Sequence, residues 1–167
     1  FSGNAYDESG LENHGSVFGA QLTEDQQGDP ENAYWFDGMD DFILIPNQPA
    51  LNFTAAITVA LSFRADELFS REMFLISHGS WENRWKISLT PDTHRIRWTL
   101  KTSQAIRDVD SKIAVQPGQY YHVAGCYDGT TLSLYLNGQL NSSAPLTGAI
   151  NTTSFDLTVG QILPANN

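Results

Sequence analysis

The stretch Tyr121-His122-Val123-Ala124-Gly125-Cys126-Tyr127-Asp128-Gly129-Thr130-Thr131-Leu132-Ser133-Leu134-Tyr135-Leu136-Asn137-Gly138 reads as two strands joined by a tight turn. Its side chains alternate, which places Val123 on one face with Leu134 and Leu136. Asp128-Gly129 and Asn137-Gly138 supply residues that accept positive φ, as hairpin turns require. Cys126 falls inside the alternation and is expected as a small buried residue. As the only cysteine it excludes an internal disulfide.

The same period of two recurs outward along the chain. Residues 41–46, 57–64, 73–78, 85–90, 95–101 and 155–160 are short, rich in Ile, Val, Thr and aromatics, and bounded by turn residues. Together with 121–127 and 131–137 they make eight expected strands, and no long helical pattern accompanies them. Thr90-Pro91-Asp92 suits a turn with Pro at its second position, so 85–90 pairs with 95–101. In that hairpin Trp85, Ile87, Leu89, Ile96, Trp98 and Leu100 form a core face. Lys86, Ser88, Thr90, Arg95, Arg97, Thr99 and Lys101 form a basic, polar stripe on the other. Many short strands between turn signals predict an all-β, two-sheet antiparallel sandwich, with Ile57 and Leu61 also turned inward.

Composition narrows the function. The 167 residues suit one domain, and no apolar run exceeds four residues, which leaves neither a membrane-spanning helix nor a signal-peptide core. The chain starts at Phe1 and ends in Pro-Ala-Asn-Asn, so part of a larger polypeptide is expected. A formal charge of −10 argues against nucleic acid and anionic membrane as partners, because both reward Lys and Arg placed against phosphate. The charge is also segregated. Residues 1–63 carry ten acids and no Lys or Arg, whereas residues 64–112 carry all nine basic residues. That pattern suggests a cation site near the N-terminus and a basic patch midway, although ordinary solvated surface would account for both.

Several motifs occur in the order of a known family. Phe1-Ser2-Gly3-Asn4-Ala5-Tyr6-Asp7, Asn13-His14-Gly15, Ala33-Tyr34-Trp35-Phe36-Asp37-Gly38 and Asp41-Phe42-Ile43 resemble the opening of the laminin-G-like, concanavalin A-like jelly-roll domains. The 121–138 hairpin resembles their most recognisable one, and Leu157-Thr158-Val159-Gly160 their following strand. The resemblance spans nearly all of residues 1–167 and implies a single jelly-roll sandwich. The family's usual final segment, an acid followed by an Arg-containing strand, is absent before Asn167, which would leave a sheet edge exposed.

The resemblance further implies a structural calcium ion near the first strands. The segment holding Asn4, Asp7, Asp37, Gly38, Asp40 and Asp41 offers the hard oxygens that calcium takes, and Asn4, Asp7, Asp37, Gly38 and Asp41 are the expected ligands. The same acids would also serve as turn formers. For a ligand, the expected contacts are Lys86, Arg95 and Arg97 of the stripe, with Arg84 beside it and Trp81 as a stacking indole between strands. An indole folded over the rim and a stripe facing water are the plainer alternatives.

Catalysis is not expected. The Glu-x-Asp-x-x-Glu pattern of glucanases on this fold is missing, as are Gly-x-Ser-x-Gly, phosphate-binding and dinucleotide loops. His14, His78, His94 and His122 lack zinc spacing. Three Asn-x-Ser/Thr sequons start at Asn52, Asn141 and Asn151, but with no disulfide a bacterial extracellular or cell-surface protein is expected. The sequence therefore predicts a non-catalytic recognition module that binds a glycan. A protein-binding or structural adhesion domain is the alternative, and a divergent glycan hydrolase the third reading.

Overall fold

A computed structural model describes residues 1–79 and 84–161. Thirteen strands follow in order: β1 Ser16–Phe18, β2 Gln21–Thr23, β3 Ala33–Trp35, β4 Phe42–Ile45, β5 Ile57–Arg64, β6 Met73–His78, β7 Trp85–Leu89, β8 Arg95–Lys101, β9 Ile106–Ala114, β10 Tyr120–Tyr127, β11 Thr131–Leu136, β12 Gln139–Pro145 and β13 Leu157–Val159. The described residues hold no α-helix, only a 3-10 turn at Pro49–Leu51. All eight expected strands are present, and β1, β2, β3, β9 and β12 are additional.

Two antiparallel sheets make the body. One has seven strands in the order β1-β4-β13-β6-β7-β8-β9, the other four in the order β12-β11-β10-β5, and β2 pairs β3 in a separate ribbon. The register of the large sheet explains how it sorts its side chains. Val17, Ile43, Val159, Ile76, Ile87, Trp98 and Val109 lie in one row across all seven strands. The next row, Ser16, Leu44, Thr158, Ser77, Lys86, Thr99 and Asp108, points the other way and is polar except at Leu44. A one-residue slip would exchange the two rows, so burial of the first fixes the register.

From Ile76 to Val109 the apolar row meets the four-stranded sheet. Trp98 is fully buried and packs with Trp85, Val123, Leu132, Leu134 and Leu136 in one core cluster. Its indole needs space that only a glycine leaves: a Cβ at Gly125 would lie 2.5 Å from Trp98 Cδ2. Gly125 is thus required on β10 by close approach, not by turn geometry. Ile57 is buried as expected, while Leu61 is only half-buried at the β5 edge.

Two expectations need correction. Cys126 follows Gly125 and so faces outward from β10, half-buried, with its sulfur 3.6 Å from the Thr58 hydroxyl. The stripe of the 85–101 hairpin does not simply face water either, because Lys86, Ser88, Thr90 and Thr99 are buried on it.

Candidate functional site

The burial of the stripe comes from chain laid across the outer face of the large sheet. Glu72, just before β6, accepts a 2.5 Å bond from Lys86 Nζ and a 2.6 Å bond from the Ser88 hydroxyl. Lys86 also lies over the Phe74 ring, 5.1 Å from its centroid. Further across the sheet, Ser77 and Thr158 both donate to the Gln161 carbonyl. Stripe residues therefore lose water but keep polar partners, which is the condition for burying them at little cost.

Beyond Lys86 the face opens into a depression of about 280 Å³. Its walls include Glu72, Lys86, Arg97, Thr99, Arg107 and Asp108. Arg97 donates two bonds to the Asp110 carboxylate, 2.7 and 2.8 Å long, and sits 3.6 Å from Asp108. These hydrogen bonds and charges raise the Arg97 pKa above its ordinary value, so its charge is permanent but neutralised. The Thr99 hydroxyl donates to Asp108 at 2.6 Å. The depression is thus lined by both donors and acceptors, with Lys86 and Arg97 compensated by neighbouring carboxylates.

The remaining expected ligand contacts sort differently. Arg95 donates to the Ser111 carbonyl at 2.9 Å, at the far end of β8. Arg84 is wholly buried and donates to His78 and to the carbonyls of Asn151 and Leu51, so it belongs to the interior. Trp81 lies outside the described residues. Glu72, Asp108 and Asp110 were not read as part of a site from the sequence. The alternation Arg107-Asp108-Val109-Asp110-Ser111 was the available signal for the last two.

The N-terminal acids divide in the same way. Carboxylate oxygens of Asp37, Asp40 and Asp41 lie within 4.8 Å of one another. Asp41 accepts the Asp37 N–H at 2.9 Å, and Asp37 accepts the Met39 N–H at 2.8 Å, which draws the loop tight. Gly19 makes room for this, since a Cβ there would meet Asp41 Oδ1 at 1.8 Å. Three adjacent carboxylates are a hard-oxygen donor set whose chemistry fits calcium. The Gly38 carbonyl, expected as a ligand, instead accepts from the Arg71 guanidinium. Asn4 and Asp7 are spent within their own loop. Asn4 Oδ1 accepts from Tyr6 N–H, and Asp7 accepts from Ser9 and Asn13, bonds that hold its carboxyl down at about 2.

Two antiparallel sheets packed face to face around one apolar row define a concanavalin A-like sandwich. The chain belongs to the family described as the concanavalin A-like lectin/glucanases superfamily, in its laminin G form, whose model matches residues 37–162. No curated protein matches. Among solved structures, the receptor binding domain of botulinum neurotoxin C/D mosaic serotype is similar at a TM-score of 0.73 and 13% identity, over 93% of this chain and 40% of that one. The binding domain of botulinum neurotoxin DC, solved in complex with SialylT, gives 0.70 and 16% over 93% and 40%. Domain 4 of an extracellular arabinanase from Geobacillus stearothermophilus, solved in complex with arabinotriose, gives 0.72 and 17% over 95% and 78%. The chain thus spans about two fifths of the toxin chains, and at these identities the likeness is one of fold.

Proposed function

We propose that this domain is a non-catalytic recognition module of an extracellular protein and binds a neutral, hydroxyl-rich glycan on the outer face of its seven-stranded sheet. The observation that carries this reading is the depression lined by Glu72, Lys86, Arg97, Thr99 and Asp108. Sugar hydroxyls both donate and accept, so they need both kinds of partner held at fixed positions. The ion pairs fix Lys86 and Arg97 in place before a ligand arrives, which lowers the ordering cost of binding. Compensation of Lys86 and Arg97 favours neutral sugars, and the overall −10 adds repulsion against acidic ones. That arabinotriose occupies a domain of the same fold supports the class of ligand.

Calcium is the expected cofactor, held by Asp37, Asp40 and Asp41, where it would neutralise three adjacent carboxylates and stiffen the loop before β4. The chain's own residues already draw that loop closed through the Asp41–Asp37 bond.

A glycan array followed by calorimetry tests the ligand. Asp108→Trp, at a half-exposed side chain on the rim, should fill the depression, and a melting curve checks that the variant folds. Loss of binding in this variant supports the reading, and unchanged binding removes it. A hydrolase would draw on Glu72 and Asp108, the two carboxylates of the depression. New reducing ends appearing in a bound oligosaccharide would favour that second reading.

A further inference from the structure

A second depression, of about 190 Å³, lies beside the first. Its walls are Gln104, Ala105, Arg107, Pro145, Leu146 and Thr147, and it is more apolar than its neighbour. Arg107 lines both, and Ile106 of the first depression is the chain neighbour of Ala105 of the second. The register explains the sharing. Ile106 pairs with Lys101 and Asp108 with Thr99 on the outer face, whereas Arg107 pairs with Leu100 and points to the inner side at the sheet's edge. From the edge strand its side chain reaches both depressions.

Arg107 also differs from its neighbours in bonding. Arg97 is held by Asp110 and Asp108, and Lys86 by Glu72. Among the described residues Arg107 has neither a side-chain hydrogen bond nor an ion pair, and the residue is exposed. Its five N–H donors are therefore free for a ligand. Neither depression alone reaches the roughly 300–1,000 Å³ of sites that enclose a drug-sized ligand, but the two together do.

We infer that the two depressions form one continuous site, joined over Arg107, for a linear neutral oligosaccharide instead of a single sugar. This rests on the glycan reading above. One end of the chain meets polar groups at Glu72 and Asp108, which Lys86 and Thr99 hold from beneath. The middle takes hydrogen bonds from the Arg107 fork. The other end lays the apolar face of a sugar against Pro145 and Ala105.

The test is the dependence of affinity on chain length. Gluco-, xylo- and arabino-oligosaccharides of two to six units are titrated into the wild type, Arg107→Ala, Thr147→Trp and a control, Lys112→Ala. The expected result is an affinity that rises about tenfold or more from two units to five in the wild type and the control. That rise should shrink below about twofold in Arg107→Ala and in Thr147→Trp. Arg107 and Thr147 are exposed, and retained melting temperatures would confirm folding. A wild-type affinity independent of chain length, or a rise that survives both substitutions, overturns the inference. If binding is nonetheless lost in Asp108→Trp, the first depression stands as the glycan site. Absence of binding to any glycan on the array removes the parent reading and this inference with it.

Discussion

Arg84 donates its Nε proton to Nδ1 of His78 across 3.0 Å, and neither side chain reaches solvent. The bond requires a neutral imidazole with its lone pair at Nδ1, which leaves the Nε2 proton for Asn47 Oδ1 at 3.0 Å. Burial, reinforced by the Arg84 charge, lowers the His78 pKa to about 4, and burial lowers Arg84 to about 10. Arg84 also bonds the Asn151 and Leu51 carbonyls and lies over the Phe53 ring. The pair thereby ties the loops after β4 and before β13 to strands β6 and β7.

A pH dependence follows from that pair. The native His78 pKa lies below its ordinary 6.5, so the unfolded chain takes up the proton first as pH falls. Stability should therefore decline from about pH 6.5 down to about pH 4, by at most about 1.4 kcal/mol per pH unit from this residue. Urea unfolding at pH 7, 6 and 5 measures the slope. His78→Gln should flatten it, and an equal slope in the variant would contradict the assignment.

Core packing gives a second expectation. Gly125→Ala places a methyl group against the Trp98 ring, which is fixed between the sheets and also donates to the Cys126 carbonyl at 3.3 Å. Overpacking of this kind costs about 1–3 kcal/mol. Denaturant unfolding of the variant should show a lower midpoint with an unchanged slope, and wild-type stability would mean that Trp98 has room to move.

The loop of Asp37, Asp40 and Asp41 predicts a response to calcium. Binding to the native state alone adds about 2.7 kcal/mol at a hundredfold excess over Kd. Melting temperature should rise with calcium after chelation, and Asp41→Asn should suppress the rise. An identical melting curve with chelator and with calcium would remove the metal from the account.

What was legible in the sequence followed from alternation. The hairpin of β7 and β8 carries six apolar residues at every second position, and all six are buried as read. Strand β9 was missed because Ile106–Ala114 carries four charged residues and buries only Val109 and Ser111. Strand β12 was missed because Gln139–Pro145 is mostly polar, as an edge strand facing water allows. Strands β1, β2 and β3 have three residues each, too few to show a period. Missing β9 hid two of the site's acids, Asp108 and Asp110. Lys86 and Arg97 looked like free cations in the sequence because Glu72, Asp108 and Asp110 reach them only through strand pairing, 11 to 14 positions away. Of the expected metal ligands, Asn4 and Asp7 bond within their own loop, a local pairing that a count of acids along the chain does not show.

The central claim is that the outer face of the seven-stranded sheet holds the glycan, and calorimetry on one substitution tests it most directly. A neutral oligosaccharide selected on an array is titrated into the wild type, Asp108→Trp and Lys86→Ala, with melting curves confirming that each variant is folded. Asp108→Trp should weaken binding at least about tenfold, equivalent to about 1.4 kcal/mol, and Lys86→Ala should weaken it by a smaller factor. Asp108→Trp binding with wild-type affinity would contradict the account and place the ligand elsewhere on the sandwich.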